Sequence, residues 1–189
     1  MKTSFFTGSG DEGVVKIGRV RKSKDNEFFK VLGSLDRLNS WLGFCRIEAI
    51  NSFPKNTKID LAQIIKDIQE ILFIAQAEVA AIGFGGNETN LKVTEDKIKT
   101  LENLIEVVDK ITPPLKKFII PGNNELSARL DIARVFARDL ERDTVGFSKS
   151  QNISKELLRF FNRLSSALFA LARYANFKLG VVEEHPTYT

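Results

Sequence analysis

The sequence predicts an all-α fold, a five-helix bundle with an irregular N-terminal arm. Five segments carry apolar residues at three- and four-residue spacing, which is typical of helices with one buried face. Prolines 54, 113, 114 and 121 fall between these segments, where a helix cannot continue. No alternating strand pattern or internal repeat competes. With 189 residues, 43% of them apolar, the chain suffices for one domain with a sizeable core, and we expect a single domain over 1–189.

The arm and the first two helices occupy the N-terminal half. Residues 1–24 are rich in glycine and small polar residues, which predicts an irregular, mobile segment. The first helix is predicted from about 24 to 51, and Pro54 lies in the connection that follows. The second runs from about 59 or 60 to 82. The glycine-rich residues 83–90 then form a loop.

Three further helices complete the bundle, which we expect to span 25–177, with a C-terminal tail at 178–189. Thr94 is predicted to cap the third helix, which ends where Thr112 is followed by two prolines. The fourth helix is predicted at about 125–147, and the fifth at about 154–176.

Composition excludes several classes of function. The only histidine, His185, lies in a C-terminal segment expected to fray, so histidine-based metal sites and general bases are almost excluded. Cys45 is the only cysteine, and we expect a buried, inert thiol. No apolar run approaches the roughly 18 residues of a membrane span, and no secretory signal is evident. We expect a cytoplasmic protein without a membrane partner.

The fourth helix concentrates charge on one face. At about 100° per residue, Arg134, Arg138, Glu141 and Arg142 lie at roughly 0°, 40°, −20° and 80°. Three guanidinium groups on a narrow face suit an anion, as does the modest net charge of +4. Spacing alone favours another interpretation, a solvated ladder of charges on an exposed helix side.

The arm allows two interpretations as well. Glycines that let backbone N–H groups wrap an anion are the physical basis of phosphate-binding loops, and TGSGDEG at 7–13 is followed by several cations. The segment lacks the GxxxxGK[ST] pattern and does not follow a strand. In isolation such a motif is more often a flexible tail.

Seven segments are distinctive when they are taken together. They are TGSGDEG at 7–13, SKD at 23–25, VLGSLDRLNSWLG at 31–43, LFIAQAEVA at 72–80, PPLKKFIIPG at 113–122, ARVFARDLER at 133–142 and LRFFNRLSSALFALARYAN at 158–176. In these segments, which follow the family's order across nearly the whole chain, the sequence resembles the PduO-type ATP:corrinoid adenosyltransferases.

The resemblance implies a homotrimer of five-helix bundles with active sites between subunits. The N-terminal loop would wrap the triphosphate of ATP, which carries Mg²⁺, so that no separate protein metal site is expected. Reduced cob(I)alamin would attack the 5′ carbon of ATP, giving adenosylcobalamin and triphosphate. An electron-donating reductase and an adenosylcobalamin-dependent acceptor enzyme are the implied protein partners.

The resemblance also implies roles for individual residues. Asp36 and Arg134 match residues that pair across the subunit interface, and Phe118 matches the residue that lies against the lower face of the corrin and displaces its axial base. Ordinary core packing is the interpretation that Phe118 would receive without the family. Arg138 matches the arginine that contacts the triphosphate. The expected ATP-binding residues are Thr7, Gly8, Ser9, Gly10, Asp11, Gly13, Lys16, Lys24, Arg138, Glu141, Arg142 and Asn162.

The chain departs from the family pattern at four positions. Glu12 stands where lysine is common, Asp139 replaces a second arginine, Asp131 replaces a frequent histidine, and Ser166 replaces an aspartate. Two acids near phosphate sites suggest weaker nucleotide binding, unless Lys16 or Lys22 supplies the missing charge.

Three alternatives stand beside the enzyme. A non-catalytic corrinoid- or nucleotide-binding trimer would explain the acidic replacements. A nucleic-acid module rests on RVRKSK alone and predicts strongly salt-dependent binding. A ferritin-like metal bundle is excluded because the sequence has no Glu-x-x-His pair.

Overall fold

The predicted five-helix bundle is confirmed. A computed structural model describes residues 5, 8, 10–17, 20–85 and 89–188. The helices are α1 (Glu27–Ser52), α2 (Leu61–Gly83), α3 (Glu95–Ile111), α4 (Glu125–Ser148) and α5 (Lys155–Lys178). Their ends lie within about three residues of the predicted bounds, because proline, glycine and polar caps mark most of them.

The arm is not irregular throughout, and this part of the prediction was wrong. It contains a hairpin of two short strands, β1 (Val14–Ile17) and β2 (Val20–Ser23), which pair antiparallel with Val14 opposite Ser23. The strands read VVKI and VRKS, without regular alternation of apolar and polar residues, and they are only four residues long, so no strand pattern is evident beside the glycine-rich segment. The N–H of Lys24 donates to the carbonyl of Gly13 at 2.8 Å, so the hairpin brings Lys24 back to the glycine loop, the segment TGSGDEG at 7–13.

Side-chain caps fix the start of most helices. Asn26, Asp60 and Ser154 each accept a hydrogen bond from a backbone N–H in the first turn of α1, α2 and α5. Asn124 forms a reciprocal capping box with Ser127 at the start of α4. Thr94 occupies the cap position of α3, but its side chain makes no capping bond.

The helices pack in the spatial order α2, α1, α4, α5, α3, so α1, α4 and α5 form the interior. Phe28, Phe160, Phe161 and Tyr174 are fully buried there. Cys45 is buried as predicted, and burial raises the pKa of its thiol to about 12, which keeps it protonated and inert. No helix in the described part of the chain is long and apolar enough to cross a membrane.

Gly83 is a point of close contact at the end of α2. A methyl group placed there would overlap the ring of Phe28, which is fully buried and packs edge-on against Phe84 at a centroid distance of 4.6 Å. We expect Gly83→Ala to lower the free energy of unfolding by about 1 to 3 kcal/mol, the usual cost of overpacking. Chemical denaturation measures this.

Gly33→Ala is the matched control for Gly83→Ala. It also lies within a helix, but its added methyl meets nothing within 4 Å. Alanine is the better helix former, so this variant should gain roughly 0.5 to 1 kcal/mol. Equal effects of the two substitutions would contradict the overlap with Phe28.

Candidate active site

Two adjoining cavities on one side of the bundle share the side chain of Arg138. The larger, of about 540 Å³, lies between α3, α4, α5 and the segment 112–119. The smaller, of about 330 Å³, lies between α4 and α5 and is lined by Arg138, Glu141, Arg142, Val145 and Asn162. The charged face of α4 therefore borders cavities rather than open solvent alone.

Phe118 contributes an exposed ring to the larger cavity. Its side chain is 79% exposed, so ordinary core packing does not describe it in the single chain. It lies in a non-helical segment because two prolines end α3 and Gly122 adopts a φ of 99° before Asn124 caps α4. An aromatic ring is thus presented to the cavity on a connection anchored at both ends by helices.

The C-terminal tail contacts this connection, so the expectation that residues 183–189 fray was wrong for Glu183, Glu184 and His185. A ring nitrogen of His185, Nδ1, lies 2.8 Å from the carbonyl oxygen of Phe118. The N–H of Ile120 donates to the carbonyl of Glu184 at 2.9 Å. The polar composition of the tail gave no local signal of these contacts, which depend on residues more than 60 positions away.

A buried ion pair fastens the tail to α5. Arg173, which is 8% exposed, donates to Glu183 at 3.1 Å and to the carbonyl of Pro113 at 2.8 Å. Asn176 donates to the same carboxylate. One guanidinium group therefore joins α5, the tail and the start of the segment that carries Phe118. Sequence reasoning missed Arg173 because its partners are far apart in the chain or in the tail.

Arg134 lines the larger cavity and has a partner within the chain. Its Nε lies 3.2 Å from Oδ1 of Asp131, and its guanidinium lies 6.0 Å from the ring of Phe169. Burial raises the pKa of Asp131, and the hydrogen bond from Arg134 opposes that rise. The departure at Asp131 thus places a carboxylate beside the arginine that was expected to pair with Asp36.

Asp36 is exposed on α1, and its side chain makes no hydrogen bond or ion pair with any residue the structure describes. Arg134 and Asp36 are therefore not brought together within one chain. Their pairing across a subunit interface stays a prediction.

The smaller cavity, called the polar cavity below, borders a network of paired side chains. Asn162 donates to Glu141 at 2.7 Å, so these two predicted nucleotide contacts meet. Asp139 pairs with Arg142 and also lies 3.6 Å from Arg37. Arg138 has no ion-pair partner among the described residues. The acid at position 139 therefore does not occupy the arginine that is expected to contact the triphosphate.

The glycine loop of the arm has the backbone geometry expected of an anion-binding turn. Gly8, Gly10 and Gly13 have φ values of 71°, 95° and 74°, which side chains rarely adopt. A Cβ on Gly10 would lie 2.8 Å from Cε of Lys24, so the loop passes close to that lysine. Lys16 is exposed on β1. Thr7 and Ser9 lie outside the described residues.

Among the residues that the structure describes, no polar contact joins the arm to the charged side chains of α4 and α5. Where the arm is described, no hydrogen bond or ion pair links it to Arg138, Glu141, Arg142 or Asn162. The described residues likewise contain no group of three His, Cys, Asp or Glu side chains able to hold a metal ion.

Comparison with known proteins connects these features to a family. Residues 5–175 match the family described as cobalamin adenosyltransferase. The corrinoid adenosyltransferase of Citrobacter freundii is 34% identical, over 89% of this chain and 93% of that protein. The human corrinoid adenosyltransferase MMAB is 31% identical, over 95% of this chain and 72% of that protein.

Comparison with solved structures gives matches to proteins of the same activity as these relatives. A variant of the PduO-type ATP:corrinoid adenosyltransferase from Lactobacillus reuteri, complexed with cobalamin and ATP, superposes with a TM-score of 0.86 at 28% identity. The match covers 97% of this chain and 99% of that one. Another variant of that enzyme, complexed with ATP, gives a TM-score of 0.83 at 29% identity, covering 96% of this chain and 99% of that one.

Proposed function

The chain belongs to the cobalamin adenosyltransferase family, and from this we infer that it is an ATP:corrinoid adenosyltransferase. It transfers the 5′-deoxyadenosyl group of ATP to cob(I)alamin, forming adenosylcobalamin and releasing triphosphate. The observation that supports this assignment is the position of Arg138. Its side chain borders both the cavity with the exposed Phe118 and the polar cavity with Asn162. The cavity with Phe118 suits a corrin, and the polar cavity suits a nucleotide.

The reaction needs little proton chemistry from the protein. The electron pair of cobalt(I) forms the bond to C5′, while the bond from C5′ to the phosphate oxygen breaks and its electrons stay on the triphosphate. The protein has to align the two reactants and stabilise the charge on the leaving group. Arg138 serves the second task, because a guanidinium group donates two parallel hydrogen bonds to phosphate oxygens.

Phe118 serves the corrin side. Its ring would lie against the lower face of the macrocycle, displace the axial base and leave cobalt(II) four-coordinate. Loss of the axial base lowers the energy of the cobalt orbital that accepts the electron, so a weak reductant can produce cobalt(I). The exposure of the ring and its fixed connection support this role. An electron-donating reductase is the partner that this step requires, and an adenosylcobalamin-dependent enzyme would receive the product.

The nucleotide would lie between two subunits of a homotrimer. The glycine loop and Lys24 of one subunit would meet Arg138, Glu141, Arg142 and Asn162 of its neighbour, since no hydrogen bond or ion pair joins the two groups among the described residues of one chain. Exposed apolar side chains on α1 and α4 support an interface there; they are Phe44, Ile47, Ile50, Ile132 and Val135. We place Mg²⁺ with the triphosphate oxygens rather than on protein ligands, and the single unpaired cysteine agrees with a cytoplasmic protein.

The direct test mixes the protein with ATP, Mg²⁺ and chemically reduced cobalamin. Loss of the cob(I)alamin absorbance and release of triphosphate in equal amounts are expected. Absence of triphosphate, or release of ADP and phosphate by hydrolysis of ATP in its place, would refute the assignment.

Arg134→Ala is expected to damage assembly and activity together. If Arg134 meets Asp36 of a neighbouring subunit, its loss leaves a carboxylate without its partner, which costs about 3 to 5 kcal/mol where the pair is buried. Sedimentation measures the trimer, and the transfer assay measures turnover. Asp131→Asn is the control, because it removes the partner of Arg134 within the chain and leaves the arginine for the interface. An Arg134→Ala protein that stays trimeric with normal turnover would remove this role.

A further inference from the structure

A third cavity adjoins the one that contains Phe118. It measures about 630 Å³ and lies between the segment 113–117 and the C-terminal tail. Leu115, Lys117 and Arg173 line both cavities, so the two are continuous around these side chains. Its volume is within the range of about 300 to 1,000 Å³ that is typical of small-molecule sites. The proposed reaction has given this cavity no role.

The walls of this cavity are fixed in place. Arg173 holds one wall through the carbonyl of Pro113 and the other through Glu183. His185 and Glu184 connect the tail to the segment that follows, at Phe118 and Ile120. The cavity is therefore a preformed space between two segments, and the buried guanidinium group of Arg173 is hydrogen-bonded to both of them.

The lining combines apolar surface with cations. Leu115, Phe177 and Val182 present large apolar side chains, of which Val182 is 85% exposed. Lys116 and Lys117 form no ion pair with any residue in the described part of the chain, whereas Glu183 already compensates Arg173. The lysines therefore leave a positive charge beside an apolar wall, which complements a flat heteroaromatic group that carries a phosphodiester.

We propose that this cavity binds the displaced nucleotide base of cobalamin. The dimethylbenzimidazole would pack on the apolar wall, and its ribose phosphodiester would pair with Lys116. This proposal rests on the proposed function, because it takes up the base that Phe118 removes from cobalt. The base remains covalently tethered to the corrin, so it needs a site within reach of the Phe118 cavity. The adjoining cavity provides one, and it would shield an apolar base from water.

Cobinamide allows a sharp test, since it has the corrin but lacks the base, its ribose and the phosphodiester. We would measure equilibrium binding of cob(II)alamin and cob(II)inamide with ATP present, for the wild type, Lys116→Glu and Val182→Asp. The ratio of the Kd for cobinamide to the Kd for cobalamin is expected to fall about fivefold in each variant, the scale of an exposed charge contact. Cobinamide binding itself should stay unchanged.

Lys110→Glu is the matched control. Lys110 is exposed on α3, lines none of these cavities, and its reversal changes the net charge as Lys116→Glu does. Its ratio should equal that of the wild type. A ratio that stays constant in Lys116→Glu and Val182→Asp, whether both affinities fall together or neither changes, overturns the proposal. Binding requires no transfer, so failure to form adenosylcobalamin would instead count against the proposed function.

Discussion

Phe118→Ala should lower formation of adenosylcobalamin from cob(II)alamin and a weak reductant by about a hundredfold or more, which corresponds to roughly 2.7 kcal/mol in the barrier. The ring is 79% exposed, so its removal leaves no cavity in the core, and the bundle and ATP binding should be retained. With ATP present, the variant should largely lose the spectroscopic signature of four-coordinate cob(II)alamin. Magnetic circular dichroism or electron paramagnetic resonance measures that signature.

The role in reduction can be separated from a role in transfer. If Phe118 acts by making cobalt(II) reducible, supplying cob(I)alamin made with a strong chemical reductant should restore much of the activity of the variant. Phe73→Ala is the matched control, because Phe73 is 61% exposed on α2 and lines none of the cavities described. An unchanged spectrum in Phe118→Ala, or equal losses with both reductants, would contradict this role.

Arg138→Ala is expected to lower kcat by about 10² to 10³, as removal of one group that stabilises transition-state charge generally does. The effect should be large because Asp139 pairs with Arg142, while Arg138 has no ion-pair partner among the described residues. Arg138→Lys should recover only part of the rate, since an ammonium group keeps the charge but lacks the planar fork. Steady-state turnover with chemically reduced cobalamin measures both variants.

Arg159→Ala provides the comparison for Arg138→Ala. Arg159 is a surface arginine on α5 that pairs with Glu95, outside the cavities, so its loss should leave kcat unchanged. If Arg138→Ala raised the KM for ATP without lowering kcat, the guanidinium would bind the ground state and the transition state equally, contrary to the proposed role.

Local sequence signals predicted the helices because their ends are encoded locally. Asn26, Asp60, Asn124 and Ser154 cap from the residue before each helix, and the prolines at 113 and 114 stop α3 by their own geometry. The hairpin at 14–23 was missed because its four-residue strands gain stability from each other and from α1, where Lys22 lies near Phe28. Its pattern is too short to be distinguished from a loop.

The site was predictable only in part. The face of Arg134, Arg138 and Arg142 follows from helical periodicity, and the resemblance to a family turned an apparent ladder of charges into an expected site. Helical periodicity did not predict which ion-pair partner each charged side chain has. Asp139 and Asp131 depart from the family pattern, and only the fold shows that Asp139 pairs with Arg142 and Asp131 with Arg134. The contact of His185 with Phe118 joins positions that no local pattern relates.

Because the side chain of Arg138 lines both cavities, binding in one cavity can affect binding in the other. A ligand in the polar cavity that contacts the guanidinium group of Arg138 would fix the orientation of a side chain that also borders the cavity of Phe118. If the nucleotide thereby strengthens binding of the corrin by some factor, linkage requires the corrin to strengthen binding of the nucleotide by the same factor. A substitution at Arg138 would then reduce the cooperativity between the two substrates as well as the rate.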